Sequence, residues 1–404
     1  MKYLILGAGP AGLTFGNYLK ILGETDFLIL EREGSAGGLC RSVVVDGAPL
    51  DIGGGHFLDT KRPKVNDFIF RFMQCNEWNL FDRDSRIDVK NNIIQHPFES
   101  NIWQMDLKNQ VEYLKSIALA GCNLGTEMPN SFVDWIYWKL GERIAQDYMI
   151  PYNSKMFGEE LNQLGTYWLE KLPSVSIDET LISCLTKKAF GTEPAHTQFL
   201  YPKKYGYGEV WLRMADVISE HIEYGKRAVS INFNKKQIKT EDGCKYYADN
   251  IVTTIPWREY GEISGLPKDI SNSLHELRHM PTRVDYFGEM LDTKAHWIYY
   301  PDLKLAYHRI LVRHNFCTNA KGYWTETNGD RIKWGKIGEF SQVNEYAYPL
   351  NTLYKPQIME KLLSYGIKLN VYGLGRWGEH SHYNSDVVVE RAMRLAERLY
   401  RKFT

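Results

Sequence analysis

The chain has 404 residues, 44% of them hydrophobic, which is enough for a full core shared among two or three domains or subdomains. Lys plus Arg and Asp plus Glu both number 49, so the formal net charge is zero. The basic excess expected of a general nucleic-acid or anionic-membrane binder is missing. Mean hydropathy is −0.40 and no run of about 18 apolar residues occurs, so no membrane-spanning helix is expected.

The opening MKYLILGAGPAG lacks the charged, apolar and small-residue sequence of a secretion signal and reads at once as a first strand. Six cysteines (Cys40, Cys75, Cys122, Cys184, Cys244, Cys317) are scattered without a CxxC pair. That argues against a disulfide framework or a zinc site and favours a reducing cytoplasm.

Residues 2–7 form an apolar run ending in glycine. Residues 11–22 carry helical spacing at Ala11, Phe15, Tyr18, Leu19 and Leu22, and residues 26–31 form a second apolar run ending in Glu31. This is a strand–helix–strand unit, and Gly7-x-Gly9-x-x-Gly12 lies at its first junction. Gly7 allows the tight turn, Gly9 lets backbone approach a pyrophosphate, and Gly12 lets the helix pack on the strand. The free N–H groups of the helix start favour an anion. Glu31 is placed to accept from a ribose hydroxyl, and an acid there disfavours a ribose 2′-phosphate.

Further along, residues 34–42 read GSAGGLCRS, and residues 51–60 (DIGGGHFLDT) bring His56 after a glycine run ending at Gly55. The stretch from about 104 to 190 is rich in Leu, Trp, Lys and Glu, and helices are predicted over 107–121 and 131–149. Residues 225–255 alternate in short runs, as a strand–hairpin–strand does. Residues 283–312 alternate again and predict strands of a separate sheet. From about residue 385 the apolar spacing is helical to the end. No repeat or low-complexity linker separates these textures, so the domains are expected to interleave.

The Gly37–Gly38 pair with Arg41 resembles the flavoprotein extension of the dinucleotide motif, in which the arginine neutralises phosphate charge. NIVTTIPW, residues 250–257, resembles the strand that returns chain to the FAD domain in the amine oxidase and mutase superfamily, and Ala228 and Val229 would flank the adenine. DIGGGHFLDT (51–60), PYNSKMF (151–157), YPKKYGYGEVW (201–211), WIYYPDLKLAYHR (297–309), YAYP (346–349) and GRWGEHSHYNSD (375–386) follow in order. Together they resemble the UDP-galactopyranose mutase family, particularly its longer eukaryotic form, over most of the chain.

The resemblance implies an α/β fold with a Rossmann-like FAD-binding domain (1–85, 200–258 and 365–404). It adds an inserted helical subdomain (104–199) and a sheet-rich substrate subdomain (86–103 and 259–364). It implies an isomerase interconverting pyranose and furanose forms of a nucleotide diphosphate sugar. N5 of reduced FAD attacks the anomeric carbon, without net redox. FAD is the implied cofactor, active when reduced, with NADPH or NADH as reductant. The implied setting is cytoplasmic synthesis of an activated sugar for a polysaccharide, with a homo-oligomer left open and no metal, nucleic acid or membrane span.

Carried over position by position, Gly7, Gly9, Gly12, Glu31, Gly37, Gly38, Arg41, Gly55, His56, Val229, Gly375, Arg376 and Asp386 are implied cofactor residues. His56, Arg309 and Lys204 are implied catalytic groups, with Arg309 clamping the diphosphate. Arg86, His96, Phe98, Glu99, Asn153, Tyr299, Arg309, Tyr348 and His382 are implied substrate contacts. Gly206 and Gly208 suit a hinge for a loop near 202–208 that closes over substrate.

The family pattern is broken at several of these places. His96 stands for a base-stacking Tyr, Glu99 for Gln, Lys204 for Arg, Phe157 for Trp, Asp59 for a second His, and His380 and His382 for tyrosines of bacterial members. The changes fall on nucleotide and leaving-group contacts, so base and sugar stay open. Glu99 could accept from an N–H of another base such as guanine, or reposition the N3–H of uracil. An FAD oxidoreductase of the amine or protoporphyrinogen oxidase type, or a non-catalytic flavoprotein, remain alternatives, with cationic clamps in the pocket as the discriminating feature.

Overall fold

The computed structural model describes residues 1–169, 172–191 and 197–403. The first unit forms as its spacing predicts: β1 (Tyr3–Leu6), α1 (Pro10–Ile21) and β2 (Phe27–Leu30). Every residue of β1 is buried, which explains an apolar run without alternation: layers cover both faces of the strand. The two strands sit in a five-stranded parallel sheet ordered 222–223, 27–30, 3–6, 250–253, 371–373. Chain from three distant segments therefore completes this sheet, as the interleaving expected from the sequence requires. The C-terminal helix Ser385–Phe403 packs on α1, where the Tyr18 hydroxyl donates to Glu397 Oε1 at 2.7 Å.

The alternating region forms a separate seven-stranded sheet, ordered 340–349, 279–287, 323–328, 309–311, 297–299, 85–89, 92–95. One row across it reads Ile87, Tyr299, Arg309, Glu326, Val284. Cross-strand neighbours of one row project to the same face, so the register alone brings Tyr299, Arg309 and Glu326 together.

Helices Leu107–Ala118, Phe132–Ile144, Ile150–Phe157 and Ile177–Thr186 form a layer over this sheet. Asp106 caps the first through Asn109 N at 3.0 Å, and Ser176 opens the last with a capping box. The helix predicted over 131–149 is broken. Gly141 takes φ 74°, and a Cβ there would lie 2.3 Å from the Ser116 carbonyl oxygen, so only glycine fits. The chain then passes through a π-type turn, Ala145–Met149, into Ile150–Phe157, whose Pro151 sits in the first turn where its missing N–H costs nothing. Asn153 is therefore helical and donates to the Met149 carbonyl at 2.7 Å.

Candidate active site

Two cavities, of about 350 and 330 Å³, share His56, Arg376 and Ser385 in their walls. The first is organised around the opening strand–helix turn. No side chain caps α1 at Gly9, so its first N–H groups remain for a ligand. Gly7 turns at φ 99°, and a Cβ on Gly12 would sit 2.0 Å from the Gly7 carbonyl oxygen, so helix and strand touch only because both are glycine. Glu31 ends β2 in the wall and accepts from Ala8 N at 2.7 Å and Glu33 N at 2.9 Å, which fixes the turn while leaving lone pairs toward the cavity. Arg41 lines the same space and donates to the Gly38 carbonyl at 3.0 Å.

The second cavity lies between the seven-stranded sheet and the helical layer. One end is aromatic, with Phe98, Trp135, Tyr148 and Trp168 in its wall, and Glu99 lies among them. The other end carries Arg309, Tyr348, Arg376 and His382. Arg83 and Tyr299 also line it, and the Tyr299 hydroxyl accepts from Trp297 Nε1 at 2.8 Å and from Arg83 Nη2 at 3.3 Å. With both lone pairs engaged, that hydroxyl keeps its proton to donate. Arg83 also meets His96 Nδ1 at 3.2 Å and stacks over Trp297.

Glu326 is fully buried below Arg309, which gives it Nε at 3.1 Å and Nη2 at 2.5 Å. Its other oxygen accepts from Gly55 N at 3.0 Å, and His308 stands 3.6 Å away. Burial pushes the Glu326 carboxyl upward, but Arg309, His308 and the Gly55 N–H outweigh it and hold it at about 2. Among the described residues Arg309 Nη1 has no partner, so one edge of the guanidinium is spent on Glu326 and the other is available. A Cβ on Gly54 would collide with Glu326 at 2.6 Å, so the loop carrying His56 can seat only as glycine.

Burial, then Arg376, pushes His56 down to about 4, so it is neutral near pH 7. Its Nδ1 lies 3.0 Å from the Gly54 carbonyl, which can only accept, so Nδ1 carries the proton and Nε2 the lone pair. Arg376 is held by the carbonyls of Tyr383 and Ala347. Burial pushes the Tyr348 hydroxyl up to about 12, with Glu326 adding to it, so it stays a donor.

Most of the residues singled out in the sequence line these spaces. Gly7, Gly9, Glu31, Gly38 and Arg41 line the first, and Gly55, His96, Phe98, Glu99, Asn153, Tyr299, Arg309, Tyr348 and His382 the second. His56 and Arg376 line both. Gly12, Gly37 and Gly375 lie in neither wall. Asp386 binds Arg62 at 2.7 Å and anchors the last helix. Val229 is not in the wall, and Ala228 takes that position. Arg86 grips Asp84 with two nitrogens, at 3.0 and 2.8 Å, and Arg83 occupies the cavity instead. Lys204 is exposed over the Tyr205 ring, outside both cavities. A Cβ on Gly206 or Gly208 would strike Ser42 within 2.5 Å, so these glycines serve close packing in this conformation.

Sequence reasoning passed over Arg83, Trp135, Tyr148 and Tyr152. The only trace of Arg83 is its place just before a strand, and the aromatics read as ordinary helix core. Among the described residues no cluster suited to a metal occurs, and no helix is long and apolar enough to cross a membrane.

This architecture is an α/β fold with a Rossmann-like domain at its start, and residues 5–72 match the model of the NAD(P)-binding Rossmann-like domain family. The whole chain has the fold of UDP-galactopyranose mutase. A crystal structure of the reduced form of that enzyme superposes with TM-score 0.89 at 20% identity, covering 99% of this chain and 93% of the other. A protein named as a protoporphyrinogen oxidase, from Exiguobacterium, gives TM-score 0.72 at 13% identity, covering 99% of both chains. A CLA-producing fatty acid isomerase from P. acnes gives 0.68 at 16%, covering 99% of this chain and 98% of the other.

Proposed function

We propose that the chain is an FAD-dependent nucleotide-sugar mutase that interconverts pyranose and furanose rings. The observation that carries the reading is the meeting of a cavity at the Gly7–Gly12 helix start with an arginine- and tyrosine-walled cavity at His56 and Arg376. The first cavity fits FAD by its chemistry: uncapped helix N–H groups and Arg41 for the pyrophosphate, Glu31 for the adenosine ribose, and Ala228 beside the adenine. The chemistry that reduced flavin supplies when bound is a nucleophilic N5 for the anomeric carbon, without net redox.

The protein's own work is to hold and release a doubly charged leaving group. Arg309 offers its free edge, and Arg83 and Arg376 add charge on the same walls. Tyr299 and Tyr348 donate hydroxyl protons to phosphate oxygens. Glu326 aims Arg309 and, through Gly55 N, ties the clamp to the loop bearing His56. His56, neutral with Nε2 as acceptor, can take the proton of the hydroxyl that attacks as the ring recloses, and in its protonated form can give a proton to the ring oxygen as the ring opens. The aromatic floor excludes water, so the open sugar is kept from hydrolysis. NADPH or NADH as reductant and a cytoplasmic setting belong to the same proposal.

An oxidase of the amine or porphyrinogen type would want an apolar pocket, and three arginines in the wall speak against it. The test is anaerobic incubation of the dithionite-reduced protein with UDP-, TDP- and GDP-hexoses, the oxidised protein being the control. A new isomeric peak in the reduced sample alone is expected. Flavin that turns over with oxygen and an amine, with no isomer from any sugar, would overturn the proposal.

A further inference from the structure

At the aromatic end of the second cavity Glu99 is only 8% exposed and begins the short helical turn Glu99–Gln104. Among the described residues no side chain donates a hydrogen bond to its carboxyl. Lys139 tempers its charge without forming an ion pair, and the Tyr148 hydroxyl lies close enough to feel both Glu99 and Arg83. Burial pushes this carboxyl up to about 7, against its own backbone N–H and Lys139, so it ionises near neutrality. A carboxylate kept in an aromatic pocket with no side-chain donor, and only its own backbone N–H beside it, is costly, and the cost falls when a ligand brings further donors.

We propose that Glu99 reads guanine, so that the substrate is a guanosine diphosphate sugar. This rests on the nucleotide-sugar reading above and goes further by naming the base. A carboxylate can only accept. Of the common bases, guanine alone presents two adjacent donors, N1–H and the 2-amino group, matched to the two oxygens of a carboxylate. Uracil and thymine offer a single N3–H flanked by two carbonyl oxygens, which repel a carboxylate. Adenine and cytosine set one amino group beside a ring acceptor. Phe98 and Tyr148 lie near parallel, at 5.6 Å and 17°, and Trp135 shares their wall, so the end that holds the carboxyl also supplies flat apolar surface for a purine. Arg309, Tyr299 and Arg83 then receive the diphosphate farther along the same cavity.

The experiment is a tryptophan-fluorescence titration of the flavin-loaded, dithionite-reduced protein with GDP, UDP, dTDP, CDP, ADP and inosine diphosphate. GDP is expected to bind about tenfold or more tighter than UDP. Inosine diphosphate, which keeps N1–H but lacks the 2-amino group, should lose severalfold against GDP, a comparison that needs no variant. Glu99→Gln should weaken GDP about tenfold while UDP holds or gains. UDP or dTDP binding as tightly as GDP, or inosine diphosphate matching GDP, would overturn the guanine assignment and leave the nucleotide-sugar reading standing. No binding of any diphosphate at about 1 mM, with Arg309→Ala equally silent, would remove both.

Discussion

The two cavities are built in different ways. The first is organised by backbone: a helix start and two strand ends, brought together by glycines whose missing Cβ atoms let helix and strand touch. The second is a product of side chains drawn from the strands at 297, 309 and 340, from Arg83 just before the strand at 85, the helices at 132 and 150, and the loops before 99 and 382. A backbone site tolerates changes of side chain and fails when volume is added. A side-chain site keeps its shape and loses function one charge at a time. The fold therefore fixes where a dinucleotide can lie more firmly than it fixes what is bound beside it.

The hardest blow to the first cavity is Gly12→Val. Its Cβ would meet a backbone carbonyl at 2.0 Å, with no flexible neighbour to give way. The cost should exceed the ~1–3 kcal/mol of ordinary overpacking, and little flavin-loaded protein should be recovered. Purified protein with normal visible flavin absorbance would show that helix and strand can separate there, and the contrast between the cavities would weaken.

Arg309→Ala strikes the second cavity. Turnover of the preferred sugar nucleotide should fall about 100-fold or more, with flavin retained, as for loss of a charged group facing a leaving phosphate. The same change leaves Glu326 buried without its counter-ion, which costs about 3–5 kcal/mol in comparable pairs. The double variant Arg309→Ala/Glu326→Gln should regain most of the thermal stability and none of the activity. Recovery of activity in the double variant would show that Arg309 serves only to neutralise Glu326.

The pair also has a pH signature. The folded Glu326 carboxyl is held at about 2, below its ordinary value of 4.5. Its stabilisation is complete above that ordinary value and is lost as the pH falls from there toward 2. Glu326→Gln should be less stable than the parent at neutral pH and should flatten the acid limb of the unfolding profile. Parallel profiles for the two proteins would mean that other carboxylates carry the acid limb.

The same difference in construction explains what could be read in advance. The first cavity is nearly contiguous: Gly7 to Arg41 is one strand–turn–helix–strand–turn, and each glycine there has a local reason visible in its spacing. The second depends on register between strands far apart in sequence. Arg309 and Tyr299 were legible through the resemblance, and the sheet explains their partnership, since they are paired across neighbouring strands. Glu326 completes that row from a strand whose sequence carries no motif. Arg86 and Val229 were near misses of the kind a strand produces: the side chain that enters the cavity is a few residues or a single residue away, at Arg83 and Ala228. Gly141 hid the kink in a run that otherwise reads as continuous helix, because the close approach of Ser116 that requires glycine there is a tertiary contact no local pattern announces.

Lys204 should give the smallest effect and the sharpest reading of loop motion. The family resemblance gives it a catalytic place, whereas the side chain lies in solvent over Tyr205, with Gly206 and Gly208 seated against Ser42. If that seating persists during turnover, Lys204→Ala changes only a screened surface charge, and kcat/KM should shift by no more than about twofold, more at low salt than at high. A tenfold rise in KM, insensitive to salt, would mean instead that residues 202–205 swing over the diphosphate while the glycines beyond them stay fixed. The hinge would then lie at Pro202 rather than at Gly206, and Ser42→Ala, which loosens the glycine contacts without touching the swing, would separate the two cases by leaving KM unchanged.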